Sequence, residues 1–260
     1  MSLPQVVSRE QWLAARQELL AREKELTRRH DALNADRRRL PMVAIDKDYV
    51  FEGPAGQVGL PELFGGARQL IVHHFMFDPG WDTGCPSCAA SADELSPGLL
   101  AHVRARDTAF AMVSLAPFAK IRAYQASRGW TFGWYSSFGS DFNYDFHVTL
   151  DETVAPVVYN YRGKAEILAA GSLGDLTDAD QPVEVPAISC FLRAGDGVFH
   201  TYSTYARGVE QVGGAHSFLD LTALGRQEGW EEPGNRARAP DRQYASSWRD
   251  VGPASALAPG

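Results

Sequence analysis

Cysteine is scarce in this chain of 260 residues, which has three. Three thiols cannot form the dense disulfide framework of a small secreted scaffold, and a chain this long can bury a core without one. Long apolar runs are also missing. None approaches the roughly 20 residues that cross a bilayer, so no membrane partner is expected. Acidic residues outnumber Lys and Arg by 32 to 25, leaving a net charge of −7. That balance removes the basic stripe a nucleic-acid binder uses to displace counterions. The first residues, MSLPQVVSREQW, lack the basic and then apolar signal of a secreted chain, and the reading is cytoplasmic. The seven histidines show no spacing that marks a metal site, and no motif calls for an organic cofactor.

The first segment, residues 1–41, reads as a helical extension. Ser8 and Gln11 form a capping box, and Pro41 stands beyond the far end. Trp12, Leu19, Leu26 and Leu33 recur at sevens between charged residues. Such a seam suits either packing along the chain's own domain or contact with a second copy in a homodimer. Residues 42–228 read as one α/β domain. Tyr49 to Pro54 is a strand and turn, Leu60 to Phe64 a helical turn, and Gln69 to Phe77 (QLIVHHFMF) a strand buried on both faces. A helical stretch runs from Cys85 to Arg106 with a restart at Ser96-Pro97. Phe110 to Leu115 is another strand, and Pro117 to Arg128 another helix. Trp130 to Phe146 carries eight aromatic residues in seventeen positions and opens an insertion of about 130–184. Ile188 to Leu192 and Val198 to Tyr202 form a hairpin across a Gly-rich turn, Gly213 to Leu224 a closing helix, and residues 229–260 an irregular tail.

Cys85-Pro86-Ser87-Cys88 stands where a buried strand has ended and a helix begins. Free backbone N–H groups and the positive end of the helix dipole favour a thiolate there, which makes Cys85 the nucleophile. Pro86 suits the first helical turn, and Cys88, one turn on, is placed to resolve a mixed disulfide. Val185-Pro186 precedes a later buried strand, a position where a cis peptide often sits facing a dithiol. Strand, C-x-x-C helix, strand, helix, then proline, strand, hairpin and strand is the thioredoxin order. Cys85, Cys88 and Pro186 are therefore the candidate catalytic residues, and Trp81, Pro86, Trp130 and Trp134 the candidate substrate contacts. Cys190, inside a strand, reads as a core thiol.

The stretches HHFMFDPGWDTGCPSC, GWTFGWYSSFGSDFNYDFHVT and VFHTYSTYARG resemble the signature blocks of a bacterial thioredoxin-like family of unknown function, described also as predicted dithiol–disulfide isomerases. The resemblance runs from about Val6 to Glu228. It implies a thioredoxin-like fold of the larger, peroxiredoxin-like type, with a central mixed sheet, helices on both faces and Cys85 and Cys88 as the dithiol. It names no substrate, so the partner is an unidentified disulfide or thiol. Gly133 stands where the family carries proline, and the tail keeps only Asp241 and Tyr244 of a His-Asp-x-x-Tyr ending. These departures bear on specificity rather than on the dithiol.

Other readings stay open. The cysteines can be two core thiols. His73 and His74, on opposite faces of one strand, are core histidines, unless one reaches the dithiol as a proton acceptor or as a third ligand for copper or zinc. Asp78 and Asp82 either move the Cys85 proton or shape a turn with Pro79-Gly80. A module that binds a metal or an aromatic ligand without turnover is the alternative function. Peroxide reduction fits less well, because Thr83 stands one residue too close to Cys85 for the P-x-x-x-T-x-x-C loop of peroxiredoxins.

Overall fold

A computed structural model describes residues 4–170 and 181–212, with Gly214, Ser217 and residues 219–222 beyond them. The chain opens with α1 (Arg9–Arg37), capped as its sequence requires. The Ser8 hydroxyl accepts from Gln11 N–H at 3.2 Å, and the Gln11 side chain accepts from Ser8 N–H at 3.0 Å. Such a cap stabilises a helix start by about 1 kcal/mol. No residue of α1 is buried, and Trp12, Leu19, Leu26 and Leu33 remain exposed. The helix is anchored at its far end, where Arg37 donates to Gln211 at 3.2 Å and lies over the Tyr202 ring.

Then come β1 (Val43–Ala44), β2 (Val50–Gly53), β3 (Gly56–Gly59) and a single turn of helix, α2 (Leu60–Leu63). The central unit follows as β4 (Gln69–His74), α3 (Pro86–Asp93), α4 (Pro97–Arg104), β5 (Thr108–Ser114), α5 (Phe118–Arg128) and β6 (Trp134–Ser136). The long helical stretch breaks at Ser96, whose hydroxyl caps α4 ahead of Pro97. Gly129 ends α5 in the left-handed region, with φ of 70°, where glycine costs least. The aromatic segment then supplies α6 (Phe142–Asp145) and β7 (Thr149–Leu150), followed by β8 (Val158–Tyr159), β9 (Arg162–Gly163) and α7 (Lys164–Ala169). Beyond it lie β10 (Val183–Glu184), β11 (Ala187–Ala194) and β12 (Gly197–Tyr205). Half of the expected closing helix lies outside the described residues, and the whole tail does.

Eight strands form one sheet in the order β1-β12-β11-β4-β5-β6-β2-β3. β4, β5 and β6 are parallel, whereas β11 runs antiparallel to β4 and β12 antiparallel to β11. The run β12-β11-β4-β5, with a helical crossover after β4, is the thioredoxin arrangement, and the fold is thioredoxin-like. Burial on both faces explains why β4 and β5 read as nearly continuous apolar runs. Leu70, Val72, Ala111 and Val113 face a cluster with Phe51, Phe64, Phe142 and Phe191. Phe75, Met112 and Trp134 face the cysteines and α5. Among the described residues no helix is long and apolar enough to cross a membrane.

Candidate active site

The β4 strand stops at His74, three residues before its sequence pattern does, and an irregular loop carries the chain to α3. Cys85 is the N-cap of α3, and its N–H donates to Met76 O at 3.0 Å. Pro86 takes the first helical position. Gly84 allows this close entry: a Cβ there would lie 2.4 Å from Phe75 Cε1 and 3.1 Å from Tyr124 Cε1. Lys120 of α5 holds the loop by donating to Pro79 O at 2.8 Å and to Trp81 O. Asp78 closes the turn, its Oδ1 accepting from Gly80 N–H at 2.6 Å.

The two thiols are free and buried, Cys85 at 1% exposure and Cys88 at 2%. Hydrogen bonding from Cys88 is the main influence holding the Cys85 thiol below its ordinary value. Burial opposes that shift, while the N–H groups of Cys88 and Ser87 and the Ser87 side chain reinforce it. Cys88 goes the other way. Burial, the hydrogen bond to Cys85 and the Cys85 charge push it well above the usual thiol range, with the charge of Glu184 adding to them. One thiol is therefore the more acidic of the pair and the other the more tightly protonated.

Glu184 is the residue that the sequence reading missed. Its carboxyl is buried without a cation and is pushed up to about 8, chiefly by burial, with the Asp78 charge adding and the Thr149 hydrogen bond opposing. The Thr149 hydroxyl donates to Glu184 Oε1, and Asn143 Nδ2 donates to Thr149 Oγ1 at 3.1 Å. Asn143 Nδ2 also lies 3.5 Å from Glu184 Oε2, and the Ser137 hydroxyl donates to Asn143 Oδ1 at 2.7 Å. Side chains from β7, α6 and the end of β6 thus hold one buried carboxyl in place. Glu184 lies in a segment with little periodicity, and its only sequence signal is an acidic residue alternating with the apolar Val183 and Val185.

Several expected site residues are placed differently. Val185–Pro186 is trans, and the cis peptide among the described residues is Gln181–Pro182. Val185 continues the extended path of β10, its N–H donating to Val148 O at 2.8 Å, so the chain enters β11 without a reversal at Pro186. Trp134 is fully buried, its Nε1–H donating to Ser114 Oγ at 3.0 Å. Trp130 packs against Phe132 and Trp134 and donates to Asp93 at 2.9 Å. An open groove of about 370 Å³ is lined by Trp130, Trp134, Arg122 and Gln125 but contains neither cysteine. Trp81 packs partly buried against the cluster that contains the dithiol, while Pro86 is exposed above it.

Neither adjacent histidine joins the pair in a ligand set. Burial lowers His73 to about 4 and His74 to about 3, so both rings are neutral. His74 Nε2 meets Ser189 Oγ at 2.9 Å, and the ring stacks on Phe142. Among the described residues no three His, Cys, Asp or Glu side chains converge as metal ligands. Cys190, partly buried in β11, is pushed up to about 11 by burial and stays a thiol. Tyr205, the last residue of β12, donates to Phe146 O at 3.0 Å, and Arg207 just beyond pairs with Glu210.

Residues 1–249 match a family described as bacterial protein of unknown function, DUF899. The chain belongs to this family. No curated protein matches it. Among solved structures, the DUF899 chain is similar to a bacterioferritin comigratory protein of Xanthomonas campestris, described for alkyl peroxide reduction. The identity is 10% over 66% of this chain and 94% of that one, with a TM-score of 0.41. A peroxiredoxin Q of the same organism gives 12% identity over 66% and 94% of the two chains, with a TM-score of 0.42. A disulfide isomerase, so named provisionally, from Bacteroides thetaiotaomicron gives 20% identity over 39% and 64%, with a TM-score of 0.29.

Proposed function

We propose that this DUF899 protein is a thiol–disulfide oxidoreductase whose nucleophile is Cys85. The observation that carries the reading is the opposed ionisation of two thiols one helical turn apart, Cys85 favoured as thiolate and Cys88 as thiol. The Cys85 thiolate attacks one sulfur of a partner disulfide, breaks the S–S bond and releases the other sulfur as a thiolate, leaving a mixed disulfide. Cys88 then loses its proton and attacks the Cys85 sulfur. The second partner thiolate leaves with the bonding pair, and Cys85 and Cys88 end as a disulfide. Two protein thiols are oxidised and one partner disulfide is reduced, and the direction reverses with the potential of the partner.

The burial of both sulfurs means that a partner disulfide reaches Cys85 only once the packing around it opens. Dithiothreitol-driven reduction of insulin by the purified chain, with Cys85→Ser as control, tests the proposal. Turnover that disappears in Cys85→Ser, and a trapped mixed disulfide in Cys88→Ala, are the expected results. Equal rates for wild type and Cys85→Ser would overturn it.

A further inference from the structure

The N-terminal helix α1 has 29 residues, and the domain buries none of them. Trp12 and Leu19 are each 46% exposed and Leu26 is 68% exposed. Most of the stability of a helix in a protein comes from packing one face, and this face lacks its cover. Its apolar residues repeat at sevens. On a straight helix such a repeat slips by about 20° per heptad, a drift that supercoiling around a second helix removes. Arg16 and Glu23 also stand seven apart, each four residues after one seam residue and three before the next. They form a charged line beside the seam, joined at 2.8 Å through Arg16 Nη2. The other terminal nitrogen, Arg16 Nη1, is shielded from solvent and has no hydrogen-bond partner. Leaving a shielded donor of a cation unpaired is costly.

We propose that α1 pairs antiparallel with α1 of a second copy, about a two-fold axis that passes beside Leu19. Trp12 of one copy then lies against Leu26 of the other, and Leu19 against its own counterpart. In an antiparallel pair equivalent flanking lines face each other, so Arg16 meets Glu23 of the second copy and Glu23 meets its Arg16. The two intrahelical pairs close into a ring of four alternating charges, and Arg16 Nη1 gains an acceptor. Other registers oppose like charges. An axis midway between Leu19 and Leu26 sets Glu23 against its own counterpart, and an axis at Leu26 sets Arg16 against Arg37. A parallel pair would bring the Arg37–Arg39 runs of both copies together. The antiparallel overlap runs from Arg9 to Arg29, about 30 Å. It stops short of Arg37, which ties the helix to its own domain at Gln211 and Tyr202. Helices of roughly 10–12 Å diameter in contact over that length bury on the order of 600 Å² on each copy. The total of about 1,200 Å² is the lower end of the range for stable interfaces. The pairing does not involve the dithiol and stands apart from the exchange reading.

Sedimentation equilibrium of the full chain with its thiols reduced, from low to high micromolar concentration, reads the assembly directly. Wild type should approach twice the chain mass of 28.5 kDa. Leu19→Glu should stay at the single-chain mass, with its fold retained by circular dichroism because Leu19 packs on nothing in its own chain. Arg16→Glu and Glu23→Arg each set like charges at both crossings and should also sediment as single chains. Mixed in equal amounts, these two variants should recover the dimer, because a pair of unlike copies has opposite charges at both crossings. An effect confined to each helix cannot be rescued by mixing. Wild type at the single-chain mass throughout overturns the proposal, as does a dimer that persists in Leu19→Glu. Charge variants that dimerise alone, or that stay single when mixed, overturn the antiparallel register.

Discussion

Replacing Glu184 by glutamine should stabilise the protein, and by an amount that depends on pH. The carboxyl ionises near 4.5 in an unfolded chain and near 8 in the fold. Between these values the folded state binds the extra proton, so stability falls as pH rises through that window. Below about 4.5 the carboxyl is neutral in both states and costs nothing on this count. Above about 8 the loss is complete, and a rise from 4.5 to about 8 corresponds to about 5 kcal/mol. At neutral pH the loss is about 3 kcal/mol, a large share of the 5 to 15 kcal/mol typical of a native protein. Glutamine keeps the shape and an acceptor for the Thr149 hydroxyl but cannot ionise. Urea unfolding of both proteins, with thiols reduced, should give midpoints that nearly coincide at the acidic end and separate steadily toward alkaline pH. A constant gap across the whole range would refute the reasoning, because it would mean that the carboxyl ionises alike in both states.

Alkylation of Cys85 by iodoacetamide should reach half its maximal rate below the ordinary cysteine value, and Cys88→Ala should move that midpoint upward by removing the main stabilising hydrogen bond; mass spectrometry of the labelled peptide checks both. Gly84→Ala should cost about 1–3 kcal/mol in thermal or urea unfolding, because the added methyl meets Phe75 at 2.4 Å. It should also raise the Cys85 midpoint by disturbing the helix start. Trp134→Ala should cost about 3–5 kcal/mol as a core truncation. Trp130→Ala, at a partly exposed ring, should cost less, and calorimetry orders the two.

The dithiol and its helix start were legible because the signals are local. A strand-forming run, Gly84, and Pro86 between two cysteines fall within one stretch of chain, and the restart at Ser96-Pro97 is equally local. Strand order could also be read, since a parallel pair needs a crossover and a short Gly-rich turn forces a hairpin. Glu184 could not be read in this way. Its partners Thr149 and Asn143 lie 35 and 41 residues away, and its ionisation follows from burial that no periodicity signals. The burial of Trp134 was illegible for a related reason. Indole favours half-wet sites in general, but the short parallel strand β6 fixes this one between two covered faces, with Ser114 to take its N–H. The Pro186 expectation came from order alone, and order does not say whether the preceding residues run straight, as Val183 and Glu184 do in pairing with β7.

The ends of the large sheet have a consequence for the crowded cell. A wide sheet carries a risk of recruiting foreign strands along any long, flat border. Here one border is β3, four residues with glycine at both ends, and the other is the two-residue β1 lying over β12. Beyond β1, β12 carries two further contacts. The Tyr161 hydroxyl takes the Ser203 carbonyl at 2.8 Å, and the Arg37 guanidinium lies over Tyr202. A sheet of eight strands thus ends in two short borders, which leave little template for a passing unfolded chain.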